Sequence, residues 1–211
     1  MTPRDIFPDS PNAPLPGTEA PKKALFIDRW GTLLELPPRG HRARFADTEF
    51  TDRALDSLFR ASQAGWAIYL IGNEDAVARG RISEHTWETF ERDLLEAMAA
   101  AGVSVARNYA CLEHPVHGKG VRMKDSVFLL PNTGAMYHSM QHDGIHLGGS
   151  WVIGDSTIEL AAGWRAGCRT AGVRTGLATE DGVLEIDPEF VADDLTEVLA
   201  QILRLSQVAR H

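Results

Sequence analysis

The stretch Ala24-Leu25-Phe26-Ile27-Asp28-Arg29-Trp30-Gly31-Thr32 decides how this 211-residue chain is read. Four apolar residues run without a break into an aspartate, and a glycine follows three positions later. An uninterrupted apolar run of that length fits a strand buried on both faces. Asp28 then stands at the strand end.

Working outward, strand and helix signals alternate along the chain. Helical spacing at Leu55, Leu58 and Phe59 covers 51–64 and stops at Gly65. Residues 66–71 read as a second buried strand ended by Gly72. A long helix is expected over 83–101, with Ser83 as its N-cap and Gly102 beyond its end. A third strand is expected at 103–105, a helix at 134–141 stopped by Asp143-Gly144, and a strand at 151–153 closed by Gly154-Asp155. A helix over 157–165, a last core strand at 169–173 and an amphipathic helix at 194–208 complete the pattern. Such alternation predicts an α/β fold, a Rossmann-like parallel sheet covered by helices on both faces. Ligands of such sheets sit beyond the carboxyl ends of the strands. Asp28, Gly72-Asn73 and Gly154-Asp155 are therefore expected to meet at one crevice.

Composition narrows the function classes. The formal net charge is −8 and no dense Lys/Arg run occurs, so nucleic acid is not an expected partner. No apolar stretch is long enough to span a bilayer, and the N-terminus has no apolar core of signal-peptide length. Membrane association is thus not expected, and a cytoplasmic location is. Cys111 and Cys168 are far apart and suggest no disulfide framework. Residues 1–22 carry Pro3, Pro8, Pro11, Pro14, Pro16 and Pro21, which bar a stable helix or central strand. They read as an N-terminal arm, either a loose tail or a segment that docks on a protein partner, ahead of one α/β domain over 23–211.

Beyond this pattern, Phe26-Ile27-Asp28-Arg29-Trp30-Gly31-Thr32-Leu33 resembles the first motif of the haloacid-dehalogenase superfamily, a hydrophobic strand followed by D-x-D-G-T. The likeness is greatest to the branch of histidinol-phosphate and heptose bisphosphate phosphatases. It continues through Ile71-Gly72-Asn73-Glu74, Ala78-Arg79-Gly80, Pro131-Asn132-Thr133-Gly134 and Gly154-Asp155-Ser156-Thr157-Ile158-Glu159. The resemblance implies little or no cap domain, a nucleophile at Asp28, and Mg²⁺ held by Asp28, the Trp30 backbone carbonyl and Asp155, with Glu159 behind them. It also implies a small phosphorylated ligand, bound with help from Thr32 and Asn73.

Several positions depart from that family pattern. Trp30 stands where the general acid/base aspartate belongs, Gly72 where a threonine belongs and Leu130 where a lysine belongs. Loss of a general acid/base costs about 10²–10⁴ in rate, and loss of one electrostatic donor about 10²–10³. The expectation from these losses is a pseudo-phosphatase acting as a binding or assembly subunit, aided by the arm and by exposed aromatics at Trp87 and Trp164. The alternative is an active Mg²⁺-dependent phosphatase on a small sugar phosphate or phospho-amino-alcohol, with Lys119, Arg122 or Lys124 restoring a cation.

The same branch often carries a zinc loop. Cys111, His114 and His117 are the weak candidate ligands, but a closed zinc site needs four well-placed groups, so zinc is not expected. His138 and His142 share a helix face at i, i+4 and form a second weak metal-binding pair.

Overall fold

The computed structural model describes residues 21–37 and 44–208. Most of the predicted N-terminal arm lies outside the described residues. The described chain runs β1 (Lys23–Asp28), α1 (Ala54–Gln63), β2 (Trp66–Asn73), α2 (Asp75–Ala78), α3 (Glu84–Ala100) and β3 (Val105–Cys111). It continues through α4 (Gly134–Asp143), β4 (Trp151–Gly154), α5 (Thr157–Arg165), β5 (Arg169–Val173), β6 (Phe190–Ala192) and α6 (Leu195–Val208).

All the strands pair in parallel, in the order β3-β2-β1-β4-β5-β6. The central strand β1 is apolar throughout because both its faces are covered. Leu25 and Ile27 enter one core with Leu58 of α1, Phe90 and Leu94 of α3, and Val198 and Leu199 of α6. Ala24 and Phe26 enter the opposite core with Met136 of α4 and Ala162 of α5. The chain builds outward from β1 to β3, then returns to the other side of β1 with β4. Strand order reverses between β1 and β4, and a crevice opens at such a reversal.

Three expectations need correction. The third strand starts at Val105 rather than at 103, because Val103 is buried in the turn that follows α3. Residues 169–173 form the expected strand, but a further edge strand, β6, pairs beside it through Ala171↔Phe190. Trp87 is not an exposed aromatic. It is 3% exposed and stacks on Phe90 at 5.4 Å, whereas Trp164 is 68% exposed. Ser83 caps α3 as expected, its hydroxyl accepting from the Thr86 amide at 3.0 Å.

Candidate active site

Asp28 ends β1 and Asp155 follows β4, so the strand-order reversal brings these two carboxylates to the same crevice. Both are buried, at 5% and 2% exposure. Burial pushes the Asp28 carboxyl well up, and the negative charges of Glu159 and Asp155 push it further. Asp155 is raised to about 6, chiefly by burial. Glu159, on the first turn of α5, is raised to about 7 for the same reason, against the opposing hydrogen bond from Ser156 Oγ.

Two glycines set how closely the chain wraps Asp155. A Cβ at Gly31 or at Gly176 would lie 2.0 Å from Asp155 Oδ2, and both have positive φ. That oxygen accepts the Leu177 amide at 2.7 Å. Thr175 Oγ1 donates to the Gly31 carbonyl at 2.5 Å, tying the same loop to the motif after β1.

On the β1–β2 side the local charge is different. Arg29 is fully buried and its guanidinium reaches across the end of β2 to the middle of β3. Nε donates to Glu74 Oε1 at 2.8 Å, Nη1 to Asn108 Oδ1 at 2.5 Å, and Nη2 to the Gly72 carbonyl at 3.0 Å. Its face lies over the Trp87 ring at 5.4 Å. Burial pushes the Glu74 carboxyl up, and Arg29 opposes that shift.

A Cβ built on Gly72 would meet Arg29 Nη2 at 2.9 Å and Asp28 Oδ1 at 3.1 Å, and φ there is 154°. Position 72, read from sequence as a missing hydroxyl, is thus the gap into which the guanidinium and the carboxylate fit. Sequence reasoning passed over the Arg29–Glu74 pair. The available signal was a charged residue directly after each of two adjacent buried strands, with opposite signs.

The remaining predicted residues fall as follows. The Trp30 indole donates to Glu74 Oε2 at 3.3 Å and packs on Phe90 at 5.4 Å, half-buried. Asn73 spans to Leu130, donating to its carbonyl at 3.0 Å and accepting from its amide at 2.9 Å. Its amide thus positions the backbone of residue 130. Leu130 itself is buried in the core formed with α4 and α5. Thr32 is fully buried, and its hydroxyl has no hydrogen-bond partner among the described residues.

The cations expected as replacements make their contacts with other residues. Arg122 pairs with Glu84 and with Glu113, and Lys124 lies 3.8 Å from Glu113. The Lys119 side chain lies against Gly80.

Among the described residues no three His, Cys, Asp or Glu side chains are arranged to hold a metal ion by themselves. His114 Nδ1 accepts the amides of Val116 and His117, and the Cys111 thiol donates to the Glu113 carbonyl at 3.4 Å. The rings of His138 and His142 stack at 4.1 Å, and His138 Nδ1 lies 2.9 Å from the Tyr109 hydroxyl. Mg²⁺ asks for less protein, since one or two carboxylates suffice when it keeps several waters. Two buried, mutually repelling carboxylates, Asp28 and Asp155, suit such an ion.

Two cavities bear on access. The larger, about 870 Å³, lies along α4 around Phe128, Tyr137, His138 and Arg165, and none of the strand-end acids lines it. The smaller, about 310 Å³, is lined by Trp30, Leu36, Pro37, Asn73, Glu74 and Arg81, among others. It opens beside Trp30, which follows β1, and beside Asn73 and Glu74 at the end of β2.

Comparison with known proteins agrees with this arrangement. A D-glycero-D-manno-heptose-1,7-bisphosphate 7-phosphatase of Chlorobaculum tepidum is 32% identical over 185 residues, covering 84% of this chain and 92% of the relative. The chain belongs to the haloacid-dehalogenase superfamily, in its heptose-bisphosphate-phosphatase-like branch. A Pasteurella multocida heptose-1,7-bisphosphate 7-phosphatase is 29% identical over 163 residues, 76% of this chain and 87% of that one. The HAD-hydrolase-like family model matches residues 130–198. The crystal structure of D,D-heptose 1,7-bisphosphate phosphatase from B. bronchiseptica, complexed with magnesium and phosphate, shares the fold at a TM-score of 0.75 and 24% identity. That match covers 87% of this chain and 99% of that one.

These relatives overturn one expectation. The chain was expected to be a pseudo-phosphatase serving as a binding or assembly subunit, yet the proteins of this branch that it resembles are named as phosphatases. At Gly72 the absent side chain leaves space that the Arg29 guanidinium and the Asp28 carboxylate fill, so the departure from the family pattern there is more than a lost hydroxyl.

Proposed function

We propose that this protein is a Mg²⁺-dependent phosphatase acting on a small phosphorylated sugar, with a heptose 1,7-bisphosphate as the first substrate to test. The observation that carries the reading is the pair of buried carboxylates, Asp28 and Asp155, at the strand-order reversal of a chain 32% identical to a phosphatase of that sugar. A cytoplasmic setting agrees with the free thiols Cys111 and Cys168.

On this reading Asp28 supplies the nucleophile. One carboxylate oxygen forms a bond to phosphorus while the phosphorus–oxygen ester bond breaks. The electron pair goes to the sugar oxygen, which takes a proton from water and leaves as the alcohol. Water then cleaves the acyl phosphate, returning the Asp28 carboxylate and releasing inorganic phosphate. When bound by Asp28, Asp155 and the Trp30 carbonyl, Mg²⁺ supplies positive charge that offsets the two carboxylates and the phosphoryl oxygens. The rest of the work belongs to the chain. Arg29 ties the end of β1 to the end of β2 and to the middle of β3, so that Asp28 is held in one orientation. Asn73 fixes the backbone of residue 130, and the loop through Leu177 fixes Asp155.

The test is release of inorganic phosphate from D-glycero-D-manno-heptose 1,7-bisphosphate in MgCl₂. Turnover that is abolished by EDTA and by Asp28→Asn is the expected result. No release from this substrate or from a panel of hexose and heptose phosphates would overturn the proposal.

A further inference from the structure

The smaller cavity carries an unbalanced charge. Two of its acids are already neutralised by arginines: Glu74 by Arg29 at 2.8 Å, and Asp75 by Arg79 at 3.1 Å. Arg81 lines the same cavity, and among the described residues no ion pair or side-chain hydrogen bond engages its guanidinium. A second cation stands close by. A Cβ built on Gly80 would lie 3.2 Å from the Lys119 Cδ and 4.0 Å from its Nζ, so the ammonium lies over the turn that presents Arg81. The rest of the lining is largely apolar, with Trp30, Leu36, Pro37 and Ala76. A site with one apolar wall and one uncompensated cationic end suits a ligand with a carbon face and a remote anion. At about 310 Å³ the space suits a sugar-sized group rather than a nucleotide.

We propose that this cavity is the subsite for the part of the substrate remote from the reacting phosphate. Arg81 is the residue that selects a second anionic group there. Trp30 lies along the carbon face of the sugar, which gives the indole at position 30 a recognition role in place of an acid/base one. The inference rests on the phosphatase reading for which phosphate reacts, but the binding it describes does not require turnover.

The experiment compares heptose 1,7-bisphosphate with heptose 7-phosphate, which lacks the second anion. Their affinities are measured by calorimetry on an Asp28→Asn background, with Arg81 intact, Arg81→Ala or Arg81→Glu. Steady-state kinetics are run in parallel on the protein with Asp28 intact. With Arg81 present, the bisphosphate binds at least about tenfold more tightly than the monophosphate, as a charge-assisted contact predicts. Arg81→Ala removes most of that preference, Arg81→Glu reverses it, and the preference shrinks as salt rises.

A preference that is absent, or unchanged in both Arg81 variants, overturns the proposal, as does failure to bind the bisphosphate at all. If the preference follows Arg81 but the intact protein releases no phosphate, the phosphatase reading falls and the subsite stands. Arg81 is exposed and its side chain makes no ion pair or hydrogen bond among the described residues, so the variants fold normally. Far-UV dichroism checks this.

Discussion

The two walls of the crevice handle buried charge in opposite ways. On the β1–β2 wall, Glu74 faces a fully buried arginine whose hydrogen bonds also reach Gly72 and Asn108. On the β4–β5 wall, Asp155 and Glu159 meet neutral donors, among them the Leu177 amide and the Ser156 hydroxyl, and no cation pairs with them among the described residues. One wall brings its own cation and the other does not. The difference teaches where an external cation is needed. A buried carboxylate without a counter-charge is costly, so the wall lacking an arginine is the one a divalent ion would relieve.

Breaking the compensated wall has the largest expected effect. Arg29→Met strands the buried Glu74 carboxylate and should lower unfolding free energy by about 3–5 kcal/mol, measured by urea denaturation. A loss below about 1 kcal/mol would mean that water already screens this pair.

Gly72→Thr comes next. It adds back the hydroxyl that the family pattern has, but its Cβ collides with Arg29 Nη2 and crowds Asp28. Because the guanidinium is held by several hydrogen bonds, it cannot swing aside freely. The variant should lose about 2 kcal/mol of stability, within the range for a strained backbone position, and should hydrolyse substrate more slowly than the parent. Faster hydrolysis would show that the hydroxyl matters more than the clamp.

The uncompensated wall should respond with the opposite sign. Glu159→Gln removes a buried negative charge, so in EDTA it should raise unfolding free energy by about 1 kcal/mol. It should also weaken the stabilisation that added MgCl₂ gives, read as the Mg²⁺-dependent shift in Tm. Destabilisation in EDTA would indicate that the Ser156 contact outweighs the charge.

The smallest effect lies away from the crevice and serves as a control. Arg107 donates to both Asp143 oxygens at 2.7 Å and Tyr69 donates at 2.9 Å, and the Arg107 hydrogen bond leads in holding the Asp143 carboxyl down at about 2. A lowered folded-state pKa gives stability that is present above the ordinary carboxylate value and lost as pH falls toward 2. Asp143→Asn should flatten stability between about pH 4 and pH 2. The change should stay within about 1 kcal/mol, because the pair is partly exposed.

How much of this was legible in the sequence follows from how local each signal is. β1 and β5 were readable because a strand buried on both faces is apolar at successive positions, and 24–27 and 170–173 contain no charge. β3 was misplaced because it is an edge strand carrying Arg107 and Asn108, which broke the apolar pattern just where pairing begins. β6 spans three residues after an irregular loop, too short for any periodicity. Asp28 and Asp155 are legible as strand-end carboxylates because each closes an apolar run. The meaning of Gly72 was hidden, since it depends on a side chain 43 residues away in sequence. Trp30 was likewise judged against a motif before Glu74 and Phe90 could be seen as its partners.

The strand order has a further consequence for how the crevice is made. The arginine clamp draws on residues 29, 72, 74 and 108, whereas Asp155 reaches the crevice only after β4 docks on β1, a contact that also joins the Ala24 amide to Ser150 across 126 positions. During synthesis from the N-terminus, the self-neutralised wall can therefore close before the second carboxylate exists. In that part of the chain Glu74 already has its Arg29 partner, whereas Arg107 of β3 still awaits Asp143 of α4. The fold thus postpones its electrostatically costly step until the last strands arrive, when a cation can enter with them.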